Sequence, residues 1–219
     1  MPETEAAFAS VSDQEQQPLR IGWLTNAWKQ ISPAVQQPLA EARSVLEKSG
    51  AQVKDAALPE GPWEAAAGVV LGAEVASAFD EFIESGKISQ LTDPEGRIGG
   101  YVNQQIAGAD LVRANRIRRV AQKKMQGLFQ NFDVVATASL PVLASKITAN
   151  LDDELTFPDP LGGIGNFCGL PAVSIPCGFS GGLPIGLQFV GPALGEHQTL
   201  RAASLFQQHT DWHRRRPKL

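Results

Sequence analysis

The sequence predicts an α/β fold, a mixed sheet flanked by helices on both faces. Two observations carry that expectation. Between residues 20 and 58, an apolar run, a helical stripe and a second apolar run follow at the spacing of a βαβ unit, which makes a parallel strand pair. Between residues 172 and 190, two apolar runs enclose Gly178, Gly181, Gly182 and Pro184, a composition that reverses the chain and makes an antiparallel pair. A sheet that holds both pairs is mixed.

The elements follow in order. Residues 1–18 carry Glu, Gln, Ser and Pro with few large apolar groups and read as a disordered lead or linker, with a single domain over 19–219. Arg20–Leu24 is the first strand. Ser32-Pro33 reads as N-cap and first helical position, and Val35, Leu39, Ala42 and Leu46 form one apolar stripe. Pro38 conflicts with that helix, because a proline inside a helix costs about 3 kcal/mol. The helix therefore starts at Pro38 or kinks there, and Gly50 stops it. Val53–Leu58 is the second strand. Pro62 opens a helix over Trp63–Ile83, and 86–100 reads as a loop. A long amphipathic helix is expected over Asn103–Phe129. Ile106, Ala109, Ile117, Ala121 and Leu128 face inward, and Arg116, Arg119 and Lys123 face water. Asp133–Ala136 is a short buried strand, and 137–171 reads as irregular. Ala172–Cys177 and Ile185–Val190 are the paired strands, with Ile185, Leu187 and Phe189 on one face. Glu196–His209 closes the chain as a helix with Leu200, Ala203 and Phe206 inward.

Composition sets bounds on function. With 43% hydrophobic and 19% charged residues, a chain of 219 can bury a real core. A net charge of −4 leaves no global nucleic-acid footprint. No apolar run approaches the ~20 residues that cross a bilayer. The acidic, polar N-terminus fits neither a signal nor a transit peptide. Two cysteines, Cys168 and Cys177, make no disulfide framework, which points to a cytoplasmic protein with reduced thiols.

One stretch carries more than composition. Residues 169–179 read GLPAVSIPCGF and 182–192 read GLPIGLQFVGP; EHQTLRAA at 196–203 and Asp211-Trp212-His213 follow. This order and spacing resembles the C-terminal part of the amidase signature family, serine-dependent amide hydrolases and amidotransferases. Upstream, Ala109-Asp110-Leu111, Ala114 and Arg118 resemble a helix pattern of that family. Phe132-Asp133-Val134-Val135 resembles the strand after it, and 19–58 resembles its βαβ segment. Residues 20–135 are most similar to hydrolase-type members. The chain departs from the family at Thr137-Ala138-Ser139, where a Thr-Pro is usual, and at Leu143 and Ser145, which replace prolines.

The resemblance implies a Ser–Ser–Lys triad in which an unprotonated lysine, through a bridging serine, activates the nucleophile. A neutral hydroxyl needs such a base. Backbone N–H groups of a Gly/Ser-rich loop then stabilise the oxyanion. This sequence has no adjacent Ser-Ser pair and no such loop. No catalytic residue transfers to any position here, and the resemblance covers only the C-terminal portion of the fold. What remains is pocket wall. Asp159 lies ten residues before Gly169 and Asn166 three before it. By resemblance to the amidotransferase branch, Asp159 is the candidate acid for a substrate amino group; as a plain residue, Asp-Pro is a turn former. Asn166 either lines the pocket or orients the Gly169-Leu170-Pro171 loop.

Other constellations carry less. Cys168 and Cys177 with His197, His209 and His213 match no ligand spacing, so no metal is expected. Ser139 and Lys146 stand seven apart across an irregular segment, a weak dyad. Gly163-Ile164-Gly165 follows no expected strand and opens no expected helix, and so fails as a dinucleotide loop; no cofactor is expected. His213-Arg214-Arg215-Arg216 reads as a solvated basic tail. A cut family domain should expose an apolar edge and face. The expected partners are the missing N-terminal amidase half or a second copy, with a small amide substrate only in the completed enzyme. No membrane and no nucleic acid are expected. The other reading is a non-catalytic remnant that binds another amidase chain.

Overall fold

The computed structural model describes residues 17–150 and 157–216. Apart from Gln17 and Pro18, the expected lead over 1–18 lies outside the described residues. The fold is α/β, built on one mixed five-stranded sheet in the order β2-β1-β3-β5-β4. The strands are β1 (Arg20–Leu24), β2 (Gln52–Ala56), β3 (Val134–Ala138), β4 (Ala172–Ser180) and β5 (Leu183–Val190). β1 runs parallel to β2 and β3, while β5 runs antiparallel to β3 and β4. Seven α-helices stand among the described residues: α1 (Pro33–Lys48), α2 (Trp63–Ala78), α3 (Asp80–Glu84), α4 (Pro94–Asn103), α5 (Gly108–Phe129), α6 (Pro160–Cys168) and α7 (Glu196–Gln208).

The chain divides into two compact units. The first holds the sheet, α1 and α7. Val35, Leu39, Ala42 and Leu46 of α1 are all buried, so the stripe read from the sequence is the packing face. The helix starts at Pro33 and passes through Pro38. The proline ring lies against β4 at Gly178, where a Cβ would come within 2.7 Å of it. Ser32 holds the N-cap position without a side-chain bond. It donates its backbone N–H to the carbonyl of Pro141 instead, at 2.9 Å. Gly50 closes the element with φ of +90°, a conformation that favours glycine.

The sheet register is pinned at one end by Arg20. Its backbone N–H and guanidinium both donate to Asp133, at 2.8 Å and 2.6 Å, which ties β1 to the start of β3. The bond to Asp133 holds the Arg20 guanidinium more firmly protonated than usual. Every residue of β3 is buried. The β4–β5 reversal turns on Gly181 and Gly182, both at positive φ, as a two-residue hairpin turn requires. Ile185, Leu187 and Phe189 are buried together. In α7 the inward residues are Thr199, Ala202, Ala203 and Phe206. Leu200, expected inward, is exposed, because burial shifts to the neighbouring Thr199.

The second unit comprises residues 59–124 and 162–168. Three expectations fail there. The helix read as Trp63–Ile83 breaks at Phe79 into α2 and α3. The loop read over 86–100 holds a 3-10 turn, Lys87–Gln90, and the helix α4. Asp93 caps α4 by accepting from the N–H groups of Glu95 and Gly96, at 3.1 Å and 2.8 Å, and Pro94 takes the first position. From sequence, the glycine-rich Gly96, Gly99 and Gly100 stretch reads as a loop, and this cap is passed over. α5 begins at Gly108 rather than Asn103, which leaves Ala109 exposed and Ala114, Ala121 and Met125 buried. Arg116, Arg119 and Lys123 are exposed, as their spacing requires.

Candidate functional site

Asp159 and Asn166 flank and occupy an element that the sequence hid. The segment 137–171 is not wholly irregular, because α6 spans Pro160–Cys168. Asp159-Pro160 is a helix-opening pair of the same kind as Asp93-Pro94. Leu161, Ile164, Phe167 and Cys168 recur at helical spacing and are buried. Asn166 falls on the exposed side of α6, and Asp159 is exposed immediately before it. Asp159 belongs to the first unit and Asn166 to the second. Both are accessible to a ligand, and neither lies in the buried core.

The glycines of Gly163-Ile164-Gly165 are helical, which corrects the expectation that they open no helix. Gly163 serves packing: a Cβ there would come within 2.6 Å of Glu64 Cγ. Gly169, with φ of +71°, ends α6 and turns the chain into Leu170-Pro171 and β4.

The Ser139–Lys146 dyad is not assembled by the contacts observed. Ser139 Oγ lies 2.5 Å from Ser174 Oγ, across the face of Gly186, where a Cβ would strike both hydroxyls. Two hydroxyls bonded to each other supply no base, and an unactivated serine is a poor nucleophile. Lys146 instead lines a cavity of about 330 Å³ with Leu140, Leu143, Ala144, Ser145, Ile147 and Ala149. That wall is apolar apart from Ser145 and the lysine, and it comes from one loop.

The thiols are equally inert. Both cysteines are buried and unbridged. Burial pushes the Cys168 thiol up to about 11, although the nearby Arg118 charge pulls the other way, and it pushes Cys177 up to about 12. A thiol is a nucleophile only as thiolate. Folded protein at pH 8 is therefore expected to resist iodoacetamide at both positions, and unfolded protein to react at both; intact-mass analysis reads the difference. The unfolded thiols ionise near 9 while the folded ones stay protonated. Stability contributed by the protonated state is thus whole below pH 9 and falls as pH rises through 9 towards 11 and 12.

Arg214, Arg215 and Arg216 of the basic tail are exposed, as expected, and Arg215 also lies against two aromatic rings. Trp212–Arg214 form a 3-10 turn, and the Arg215 guanidinium sits 4.0 Å over the Trp212 ring and 5.6 Å from that of Phe179, a β4 residue. Among the described residues, no group of three His, Cys, Asp or Glu side chains could hold a metal ion. No described helix is long and apolar enough to cross a membrane.

Residues 1–200 match the family described as Amidase. A glutamyl-tRNA(Gln) amidotransferase subunit from Roseiflexus castenholzii is 33% identical over an alignment that covers 86% of this chain and 44% of that protein. Among solved structures, 6-aminohexanoate cyclic dimer hydrolase superposes with a TM-score of 0.71 at 21% identity, over 93% of this chain and 47% of that one. The corresponding glutamyl-tRNA(Gln) amidotransferase subunit from Thermotoga maritima gives 0.65 at 24% identity, over 87% and 43%. The α/β fold is thus shared with these solved structures. The chain belongs to the amidase family. It spans less than half the length of the curated relatives it matches.

Proposed function

We propose that this chain is the C-terminal part of an amidase and supplies scaffold and pocket wall, while residues outside it supply the Ser–Ser–Lys chemistry. The observation that carries this reading is the pairing of two facts. Essentially the whole chain matches the family, yet it accounts for only 44% of a relative's length and contains no adjacent serines. In the completed enzyme a C–N amide bond is cleaved through a serine acyl-enzyme. Members of such a triad act as a unit, so a chain without it retains no amide hydrolysis of its own. Asp159, exposed before α6, is the group offered to the amino group of a small amide, and Asn166, exposed on α6, is a separate candidate for pocket wall or for orienting the Gly169-Leu170-Pro171 loop. We place the protein in the cytoplasm, in line with its two unbridged thiols. Its partner is the complementary amidase portion.

The test joins this chain to the part of the Roseiflexus relative that has no counterpart here. Small amides are then offered to the chain and to the chimera. The chain alone is expected to be silent and the chimera to turn over. Asp159→Asn in the chimera should raise KM for substrates with an amino group and leave neutral amides unchanged. Turnover by the chain alone contradicts the proposal.

A further inference from the structure

Helix α4 is packed inside out. Its inward contact is made by glycine: a Cβ on Gly100 would come within 2.3 Å of Ile88 Cδ1 and 3.1 Å of Ile83 Cγ1. Ile83 and Ile88 are themselves buried, so the helix backbone lies directly on them. The bulky apolar residues of α4 point the other way. Ile98, Tyr101 and Val102 fall at i, i+3 and i+4, the spacing of one helix face, and are 65%, 45% and 59% exposed. A surface helix normally sets its apolar stripe inward and its polar residues outward. Here the small residues were kept for the near side and the large ones for the far side. Large apolar groups grouped on one exposed face mark a contact surface.

We infer that the Ile98–Tyr101–Val102 face of α4 is the seat of the complementary amidase portion, an inference that rests on the proposed function. Two facts select that occupant. The family match spans residues 1–200, so α4 lies within the matched region rather than beyond it. The relatives that share this domain carry more than as much chain again. An apolar face inside a domain is covered by the rest of that domain. Charge does not favour a polar or nucleic-acid occupant: the only ionic side chains on α4 are Glu95 and Arg97.

The test uses Val102→Cys as a reporter. Cys168 and Cys177 are buried, so a maleimide reads the new thiol against a quiet background. In the chain alone the new cysteine is expected to label at the rate of an exposed thiol. In the chimera described above it should label at least tenfold more slowly. A reporter at Leu200→Cys, exposed on α7 in the first unit, controls for general changes in reactivity. Equal labelling of position 102 in chain and chimera overturns the inference, whether or not the chimera hydrolyses amides. Slow labelling in the chain alone, relieved on dilution, also overturns it, because a second copy then covers the face. Protection without turnover leaves the inference standing and removes the proposed activity. A double substitution, Ile98→Glu with Val102→Lys, places a favourable i, i+4 pair on the same face. It should preserve the helix by circular dichroism and abolish chimera turnover; full turnover overturns the inference.

Discussion

Replacing Phe189 by alanine is expected to destabilise the first unit by about 3–5 kcal/mol, the range for emptying a fully buried phenylalanine. Phe189 is completely buried near the C-terminal end of β5, paired with Ala136 of β3 on one side and Val173 of β4 on the other. Ile185 and Leu187 share its face, and Gly178, which pairs with Ile185, meets Pro38 of α1 there. The small neighbour Ala136 cannot move in to refill the space. A domain has only about 5–15 kcal/mol of total stability, so the variant should unfold at much lower urea. Chemical denaturation followed by tryptophan fluorescence measures the change, and a loss under about 1 kcal/mol would refute this placement of the core.

The second large effect is expected from a single methyl group. Gly191 and Gly195 form the turn between β5 and α7. A Cβ on Gly191 would come within 2.9 Å of the Gly195 carbonyl oxygen and of Thr199 Cγ2. Neither neighbour can give way: one is backbone, and Thr199 is buried with its hydroxyl donating to the Glu196 carbonyl at 2.6 Å. Overpacking of this kind costs about 1–3 kcal/mol. Gly127→Ala provides the opposite control. It lies within α5 with nothing inside 4 Å of an added Cβ, and should stabilise by a few tenths to about 1 kcal/mol. Thermal melts of the two variants should therefore move in opposite directions.

Much of the first unit was legible because its signals are local and agree with one another. The α1 stripe of Val35, Leu39, Ala42 and Leu46 has helical period, and β5 alternates with period two through Ile185, Leu187 and Phe189. Gly181 and Gly182 mark the reversal between β4 and β5 by composition alone. The errors gathered where glycine sits inside a helix instead of in a turn. Gly96, Gly99 and Gly100 disguised α4, and Gly163 and Gly165 disguised α6. In both places an Asp-Pro pair stands at the helix start, and neither pair is read as one from sequence. Leu200 failed for a different reason: inward and outward positions on a 13-residue helix differ by one residue, and only tertiary contact selects Thr199. The candidate site residues stay a proposal; the fold adds only where they lie. Asp159 is named through the resemblance to the amidotransferase branch, and Asn166 through its place three residues before the Gly169-Leu170-Pro171 loop. Their exposure before and on a helix follows from the burial of Leu161, Ile164 and Phe167, which only the folded chain decides.

The most direct test of the central claim is covalent. A fluorophosphonate that acylates only activated serines is added to the purified chain, and the intact mass is measured. This account predicts no adduct, because the hydroxyls nearest to a catalytic pair, Ser139 and Ser174, bond to each other rather than to a base. Stoichiometric labelling at either serine would contradict it, and would mean that this chain carries a nucleophile of its own.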